Sequence, residues 1–416
     1  MANKKNTSSK KMNIFVIDDN VKAVELITAM LEQVGYQVTS STDSSSALKT
    51  IKQNQPDCII ADLIMPGVDG LSLCQSVRDD ASLNDVKFIM VSAKAYDFDY
   101  KRALEFGADG YIKKPLNPKT FTDKIARVLD DHIDMRFWGV RGTLPVSGED
   151  YLKYGGSTSC VTLEFPREQF FIFDGGTGIK KLGDWILSQS RKRFNAKMFI
   201  SHPHWDHINA IPFFNPLYIQ GGEFEILGPN QGDISMREII SAQMDGVYFP
   251  INISEFASRV YFKDLDEEQL IVDGINISTK LLSHPGRCLG YRVDYNGRSI
   301  CYITDNEMFP ETSEYYNQHY EDNLADFCRD SDVLITDCTY TDEEYKTKEC
   351  FGHSSISKVV GLATEAEVKN LYLFHHDPDQ NDQAIDRKLD LAMEAAEKRN
   401  SNVQIHAPVE GTQVKV

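Results

Sequence analysis

The chain is short of positive charge, of cysteine and of long apolar runs, and each shortage excludes a class of function. Among its 416 residues, 44 Lys and Arg stand against 62 Asp and Glu, a net charge of −18. Long nucleic acid is bound largely by neutralising phosphates, so this balance argues against nucleic acid as a partner. It leaves room for a small anion held on metal ions. The deficit is uneven: residues 1–134 carry 17 basic against 19 acidic residues, and the remainder carries 27 against 43. No run of about eighteen apolar residues occurs, so no membrane span is expected. Met1 to Lys11 is polar and Lys-rich without an apolar core, which is not a secretory signal, and residues 1–12 are expected to form a disordered tail. Eight Cys without a Cys-x-x-Cys pair fit reduced thiols in a cytoplasm better than a disulfide framework.

What is present is 41% apolar and 25% charged, the balance of a globular protein, at a length that predicts two domains. Residues 13–131 alternate short apolar runs with amphipathic helical stretches. Strand-like runs are Ile14–Ile17, Tyr36–Ser40, Cys58–Ala61, Phe88–Val91 and Gly110–Ile112. Between them lie patterns such as Val21–Val34, with apolar residues at three- and four-residue spacing. Strands alternating with helices predict a parallel sheet covered on both faces, with ligands at the carboxyl ends of the strands. At those ends stand Asp18, Asp19, Asp62, Ser92 and Lys114. Three clustered carboxylates repel one another unless a divalent cation such as Mg²⁺ lies among them.

This constellation resembles the receiver domain of two-component response regulators. The resemblance implies a doubly wound (βα)5 fold over residues 13–134, with Asp62 as phosphoacceptor and a sensor histidine kinase as phosphodonor. It implies Mg²⁺ held by Asp18, Asp19, Asp62 and the backbone carbonyl of Ile64. Lys114 and Ser92 would hold the phosphoryl oxygens, and Tyr111 would be the aromatic switch that turns inward on phosphorylation. No Pro/Gly/Ser-rich linker follows Asp134, so two domains in contact are expected.

The second part is organised around Phe199-Ile-Ser-His-Pro-His-Trp-Asp-His207. His202, His204, Asp206 and His207 follow the apolar run Met198–Ile200, and a strand ending in such a cluster fans its side chains around one point. Imidazole and carboxylate suit zinc, iron or manganese. Three later strand-like runs end in His284, in Asp305, and in His375-His376. Phe171-Ile-Phe-Asp-Gly-Gly-Thr-Gly178 reads as strand, glycine turn and helix. No Gly-Lys-Ser/Thr follows, so it is not a P-loop, and Asp174 is expected to orient the metal loop.

The spacing His-x-His-x-Asp-His, followed in order by His284, Asp305 and His375, resembles the metallo-β-lactamase superfamily. The resemblance implies an αββα sandwich over residues 135–416 and two divalent transition metals, zinc first and manganese or iron as alternatives. His202, His204 and His284 would hold one metal, Asp206, His207 and His375 the other, with Asp305 bridging. His375 is preferred to His376 as the first residue after the apolar run, and His376 could instead orient or bind substrate. Phe137-Trp-Gly-Val-Arg-Gly-Thr143 and Tyr154-Gly-Gly-Ser-Thr-Ser-Cys160 resemble the opening of one branch of these hydrolases, with Ser157 where that branch often has Asn. Asp337-Cys-Thr-Tyr340 and Phe351-Gly-His-Ser-Ser355 resemble the tRNase Z group of phosphodiesterases, in which the matching His protonates the leaving oxygen. His353 takes that place, and His353, Asp305 and Asp206 are the expected catalytic set. No tRNA-gripping arm of that group is recognisable.

These features predict a cytoplasmic response regulator whose output is a metal-dependent hydrolase, foremost a phosphodiesterase on a small nucleotide or phosphodiester, with a homodimer as one assembly. Hydrolysis of a thioester, lactone or β-lactam is the rival reaction, since the same activated water attacks carbonyl carbon. A non-catalytic phospho-switched module with structural metals is the rival of another class, and structural sites commonly close with four protein ligands on one metal.

Overall fold

Residues 12–93, 97–189 and 193–416 are described by the structure, a computed structural model. The expected tail therefore lies outside the described residues except for Met12. The chain divides into two compact units. One runs to His132 and includes Phe165–Glu168; the other comprises Ile133–Glu164 and Gln169–Val416. Among the described residues no helix is long and apolar enough to cross a membrane. All eight cysteines are free thiols.

In the first unit β1 (Asn13–Ile17), β2 (Gln37–Ser41), β3 (Cys58–Asp62), β4 (Lys87–Ser92) and β5 (Gly110–Lys113) form one parallel sheet in the order β2-β1-β3-β4-β5. Its apolar runs are continuous because both faces are covered. Phe15, Ile59 and Phe88 pack with Ile51, Leu73 and Val77 on one side. Ile14, Ile60 and Ile89 pack with Ile27, Leu31, Phe121 and Ile125 on the other. This is the doubly wound (βα)5 arrangement. The strand order reverses between β1 and β3, which opens a crevice at their carboxyl ends.

The second unit holds two seven-stranded mixed sheets. The first contains β6 (Asp134–Gly139), β7 (Cys160–Glu164), β8 (Phe170–Phe173), β9 (Asn195–Phe199), β10 (Glu223–Pro229) and β11 (Arg259–Leu265). The second contains β12 (Gln269–Val272), β13 (Ile275–Leu281), β14 (Leu289–Tyr295), β15 (Arg298–Ile303), β16 (Val333–Asp337), β17 (Asn370–Phe374) and β18 (Gln404–His406). The last strand, β19 (Gln413–Lys415), returns to pair antiparallel with β6. Aromatic rings join the two sheets: Phe173 lies 5.8 Å from Tyr291 and 5.3 Å from Tyr302, and Phe137 lies 5.3 Å from Tyr372.

Helices cover the outer faces. Ile179, Leu182 and Ile186 of helix Gly178–Ser188 pack on Ile172 and Met198 of the first sheet. Helices Gln318–Cys328, Ile356–Glu365 and Asp382–Lys398 pack on Cys301, Leu334 and Leu371 of the second. The layering is helix, sheet, sheet, helix, the αββα sandwich.

One consequence of the strand directions positions the site. β15, β16 and β17 are mutually parallel, and β13 runs with β15 because each is antiparallel to β14. Residues that follow β13, β15, β16 and β17 therefore emerge at one edge of the sandwich.

Candidate metal centre

The segment after β9 turns into a single helical turn, Trp205–Ile208, with Asp206 and His207 buried inside it. With the residues that follow β13, β15 and β17 it forms two donor groups. His202, His204, His284 and Asp305 offer donor atoms within 4.8 Å of one another, and so do Asp206, His207, Asp305 and His375. The seven residues expected from the sequence are thus brought together in the expected two sets. Asp305 belongs to both. Its Oδ2 lies 3.5 Å from His202 Nε2 and 3.7 Å from His284 Nε2. Its Oδ1 lies 3.3 Å from His207 Nε2 and 3.1 Å from His375 Nε2.

These residues fit divalent metals on three counts. Donors on a tetrahedron with metal–nitrogen bonds of about 2.0–2.1 Å stand roughly 3.3 Å apart, and the contacts of His375 Nε2 with Asp206 Oδ2 and His207 Nε2 are 3.0 and 3.3 Å. His202 Nε2 is buried with no hydrogen-bond partner, a costly state unless it has another ligand. Burial pushes the pKa values of His202, His204 and His284 down, which keeps lone pairs available. His207 is the opposite case: burial lowers its pKa, but Asp206, Asp305 and Asp174 together raise it well above the usual value. That pocket favours a positive charge, whether proton or metal.

His207, His202 and His284 are each aimed by a contact on the other ring nitrogen. His207 Nδ1 lies 2.8 Å from Asp174 Oδ2. Asp174 also accepts hydrogen bonds from the Ser201 amide at 2.7 Å, the Ser201 hydroxyl at 2.9 Å and the Tyr302 hydroxyl at 2.7 Å. His202 Nδ1 lies 3.0 Å from Ser201 Oγ, and His284 Nδ1 lies 2.8 Å from the Gly352 carbonyl oxygen. Such outer partners set tautomer and orientation. Asp206 accepts a hydrogen bond from the Thr143 amide at 2.7 Å. Asp174, Asp305 and His375 all adopt positive φ, at 60°, 34° and 56°, a strain that the surrounding contacts must hold. Gly142 gives the reason for one glycine of the opening motif. A Cβ there would stand 2.2 Å from the His375 ring.

His353 stacks on His375 with ring centroids 4.9 Å apart, and its Nδ1 lies 3.0 Å from Asp337 Oδ2. Burial lowers its pKa, but Asp337 foremost, with Asp305 and Asp206, pushes it up to about 9. His376 stands apart from both donor groups, and its two ring nitrogens are buried without hydrogen-bond partners. His375 alone of the pair belongs to the donor groups. Contacts that motif reading did not single out are those of Ser201, Tyr302, Thr143, Thr339 and the Gly352 carbonyl. All of them lie in or beside segments already marked, but their residue types gave no sign of which group each would touch.

In the first unit Asp18, Asp19 and Asp62 form a carboxylate group with donor atoms within 4.8 Å. Lys114 Nζ reaches Asp18 Oδ2 at 2.7 Å and Asp62 Oδ1 at 2.6 Å, so it is committed to the acidic cluster. Burial raises the pKa of Asp62 and Lys114 opposes it. The Ile64 amide donates to Asp62 Oδ2 at 3.1 Å. Tyr111 is half-buried, and its hydroxyl shares a hydrogen bond with Ser92.

Comparison with known proteins agrees with this division. Residues 14–126 match the family model described as response regulator receiver domain, and residues 190–376 match that of the beta-lactamase superfamily domain. A probable transcriptional regulator of Guillardia theta, ycf27, is 35% identical over 119 residues, 29% of this chain and 46% of its own length. The alkaline phosphatase synthesis transcriptional regulatory protein PhoP of Bacillus subtilis is 34% identical over 116 residues, 28% of this chain and 48% of its own. The chain spans about half the length of these curated relatives. The crystal structure of the metallo-beta-lactamase fold protein YhfI of Bacillus subtilis aligns with a TM-score of 0.50 at 15% identity, covering 69% of this chain and 100% of that one, a likeness of fold.

Proposed function

We propose that this chain, which joins a response regulator receiver domain to a beta-lactamase superfamily domain, is a phosphorylation-controlled dinuclear metal hydrolase of small phosphodiesters. In this reading residues 13–134 are the control domain and residues 135–416 the enzyme. The observation that carries it is Asp305, one oxygen of which faces His202 and His284 while the other faces His207 and His375. Four donors on one metal would suffice for a structural site. Seven residues arranged as two sets around a shared carboxylate suit two metals with positions left for substrate.

Two divalent cations held there would lower the pKa of water toward about 7 and draw charge from a phosphoryl oxygen. The protein's own groups supply the rest. Asp174, Ser201 and Gly352 keep the imidazoles aimed. His353 is the proton donor: Asp337 holds its Nδ1 at 3.0 Å, leaving Nε2 to give up the proton. Asp337, the foremost of the groups that raise its pKa, favours the donating form. An alkoxide leaving from phosphorus needs that proton, whereas a thiolate leaving from a thioester carbonyl needs it less. The acidic balance of the second part, 27 basic against 43 acidic residues, favours a small substrate over a polyanion.

The test is metal content together with turnover on bis-p-nitrophenyl phosphate, a cyclic nucleotide, a thioester and nitrocefin. Two transition metals per chain and hydrolysis of the phosphodiesters alone are expected. Faster turnover of the thioester or nitrocefin would transfer the site to carbonyl chemistry.

Control by the receiver rests on Asp62, with a sensor histidine kinase as donor. Acetyl phosphate with Mg²⁺ should phosphorylate the chain, and Asp62→Asn should abolish this. The added charge of roughly −1.5 to −2 competes for Lys114, which now holds Asp18 and Asp62. Coupling between sites is commonly about 1–3 kcal/mol, so turnover should change about 5- to 150-fold. Rates that are equal for wild type and Asp62→Asn, with and without donor, would remove the regulatory part while leaving the hydrolase intact.

A further inference from the structure

The mechanism above leaves two buried cations unused, Lys388 and Arg141. Lys388 is fully buried, in the middle of helix Asp382–Lys398. A buried ammonium is expensive, and it persists where it is fully hydrogen-bonded. Its three partners are uncharged oxygens: the Cys338 carbonyl at 2.6 Å, the Gln380 side-chain oxygen at 2.6 Å and the Thr339 carbonyl at 3.3 Å. Gln380 is itself tied in, donating to the same Thr339 carbonyl at 2.9 Å. The Arg141 guanidinium, also fully buried, donates to the Gln380 carbonyl. All of these contacts converge on the turn that leaves β16.

That turn is where the acid and the metal centre meet. Asp337 Oδ2 faces His353 Nδ1 at 3.0 Å, and Asp337 Oδ1 accepts from the Thr339 hydroxyl at 2.7 Å. The same hydroxyl lies 3.2 Å from His375 Nδ1. A hydroxyl that donates its proton to a carboxylate can only accept from the next group. His375 must then carry its proton on Nδ1 and leave Nε2 with a free lone pair, and Nε2 is the atom 3.1 Å from Asp305 and 3.0 Å from Asp206. Losing either the hydroxyl or its placement frees the ring to take the other tautomer.

We propose that Lys388 is a positioning residue for the metal centre, holding the Cys338–Thr339 turn so that the Thr339 hydroxyl locks His375 in the metal-binding tautomer. The inference rests on the dinuclear reading of the site. It assigns Lys388 no contact with metal or substrate.

The experiment compares wild type, Lys388→Met, Thr339→Val and Thr339→Ser as full chains. It reads metal stoichiometry, metal affinity by competition with a chelator, the visible spectrum of the Co²⁺-loaded protein, and circular dichroism. Outer-shell partners of ligands are worth about 10- to 100-fold in metal affinity. Lys388→Met and Thr339→Val should each bind the more weakly held of two metals about 10- to 100-fold less tightly and shift the Co²⁺ bands. Thr339→Ser, which restores a hydroxyl, should recover both. A folded Lys388→Met with wild-type affinity and spectrum would reduce Lys388 to packing and overturn the proposal. If Lys388→Met does not fold, the Thr339 pair decides: unchanged affinity in Thr339→Val overturns the proposal, and loss with recovery in Thr339→Ser supports it. Fewer than two metals on wild type would sink the dinuclear reading and this inference with it, an outcome distinct from two metals on wild type and no effect of the variants.

Discussion

Replacing Asp305 with Ala should abolish turnover and reduce the chain from two bound metals to one or none. The residue is buried, and its two oxygens serve opposite halves of the site, at 3.5 and 3.7 Å from His202 and His284 and at 3.3 and 3.1 Å from His207 and His375. No other side chain belongs to both donor groups. Truncation would therefore take a donor from each group at once and leave five imidazoles with less negative charge among them. A metal that polarises the reacting group is worth several kcal/mol of transition-state stabilisation. Since about 1.4 kcal/mol is tenfold in rate, the loss should reach about 10³-fold or more. Asp305→Asn keeps the shape but only one good donor oxygen, and it should fall between Ala and wild type in both metal content and rate. Elemental analysis and turnover on bis-p-nitrophenyl phosphate measure the two effects together. One metal on the wild-type protein with full activity in Asp305→Ala would end the dinuclear reading.

Much of this site could be read from the sequence because its donors sit where strands end. An apolar run that stops at His202, Asp305 or His375 marks a strand's carboxyl end, and parallel neighbours bring such ends to one edge. The receiver sheet was legible for the same reason, its buried strands reading as unbroken apolar runs. What sequence alone could not supply was contact between distant polar groups. The choice of His375 over His376 followed from adjacency to β17, but the isolation of His376 depends on packing that no local pattern encodes. Lys388 carried a signal that is simple to overlook. Ile385, Lys388, Ala392 and Ala396 are the buried positions of their helix, at spacings of three and four, so the lysine interrupts an apolar stripe instead of extending the charged face. A charged residue in that register is a candidate for a buried hydrogen-bonded role.

His353→Ala should leave two metals bound and still slow hydrolysis of a phosphodiester with a poor leaving group by about 10²- to 10⁴-fold, the range for loss of a general acid. The separation from the ligands is geometric. His353 belongs to neither donor group that shares Asp305; it stacks on the His375 ring at 4.9 Å, and its nearest charged partner is Asp337. Removing the ring therefore takes away a proton but no donor of the two groups that share Asp305. The size of the effect should depend on the leaving group. An alkoxide is a strong base and must be protonated as the bond to phosphorus breaks, whereas p-nitrophenolate is stable as an anion and leaves without help. The rate loss in His353→Ala should be large for an alkyl ester and small for the p-nitrophenyl ester of the same phosphodiester. Asp337→Asn supplies the matching control, because it keeps a hydrogen-bond acceptor beside His353 Nδ1 but withdraws the negative charge that raises the imidazole's pKa. Its high-pH limb should move to lower pH, the direction expected when the protonated form loses its counter-charge. Equal losses on alkyl and p-nitrophenyl esters, or loss of metal from His353→Ala, would place His353 with the ligands and remove the proton donor from the mechanism.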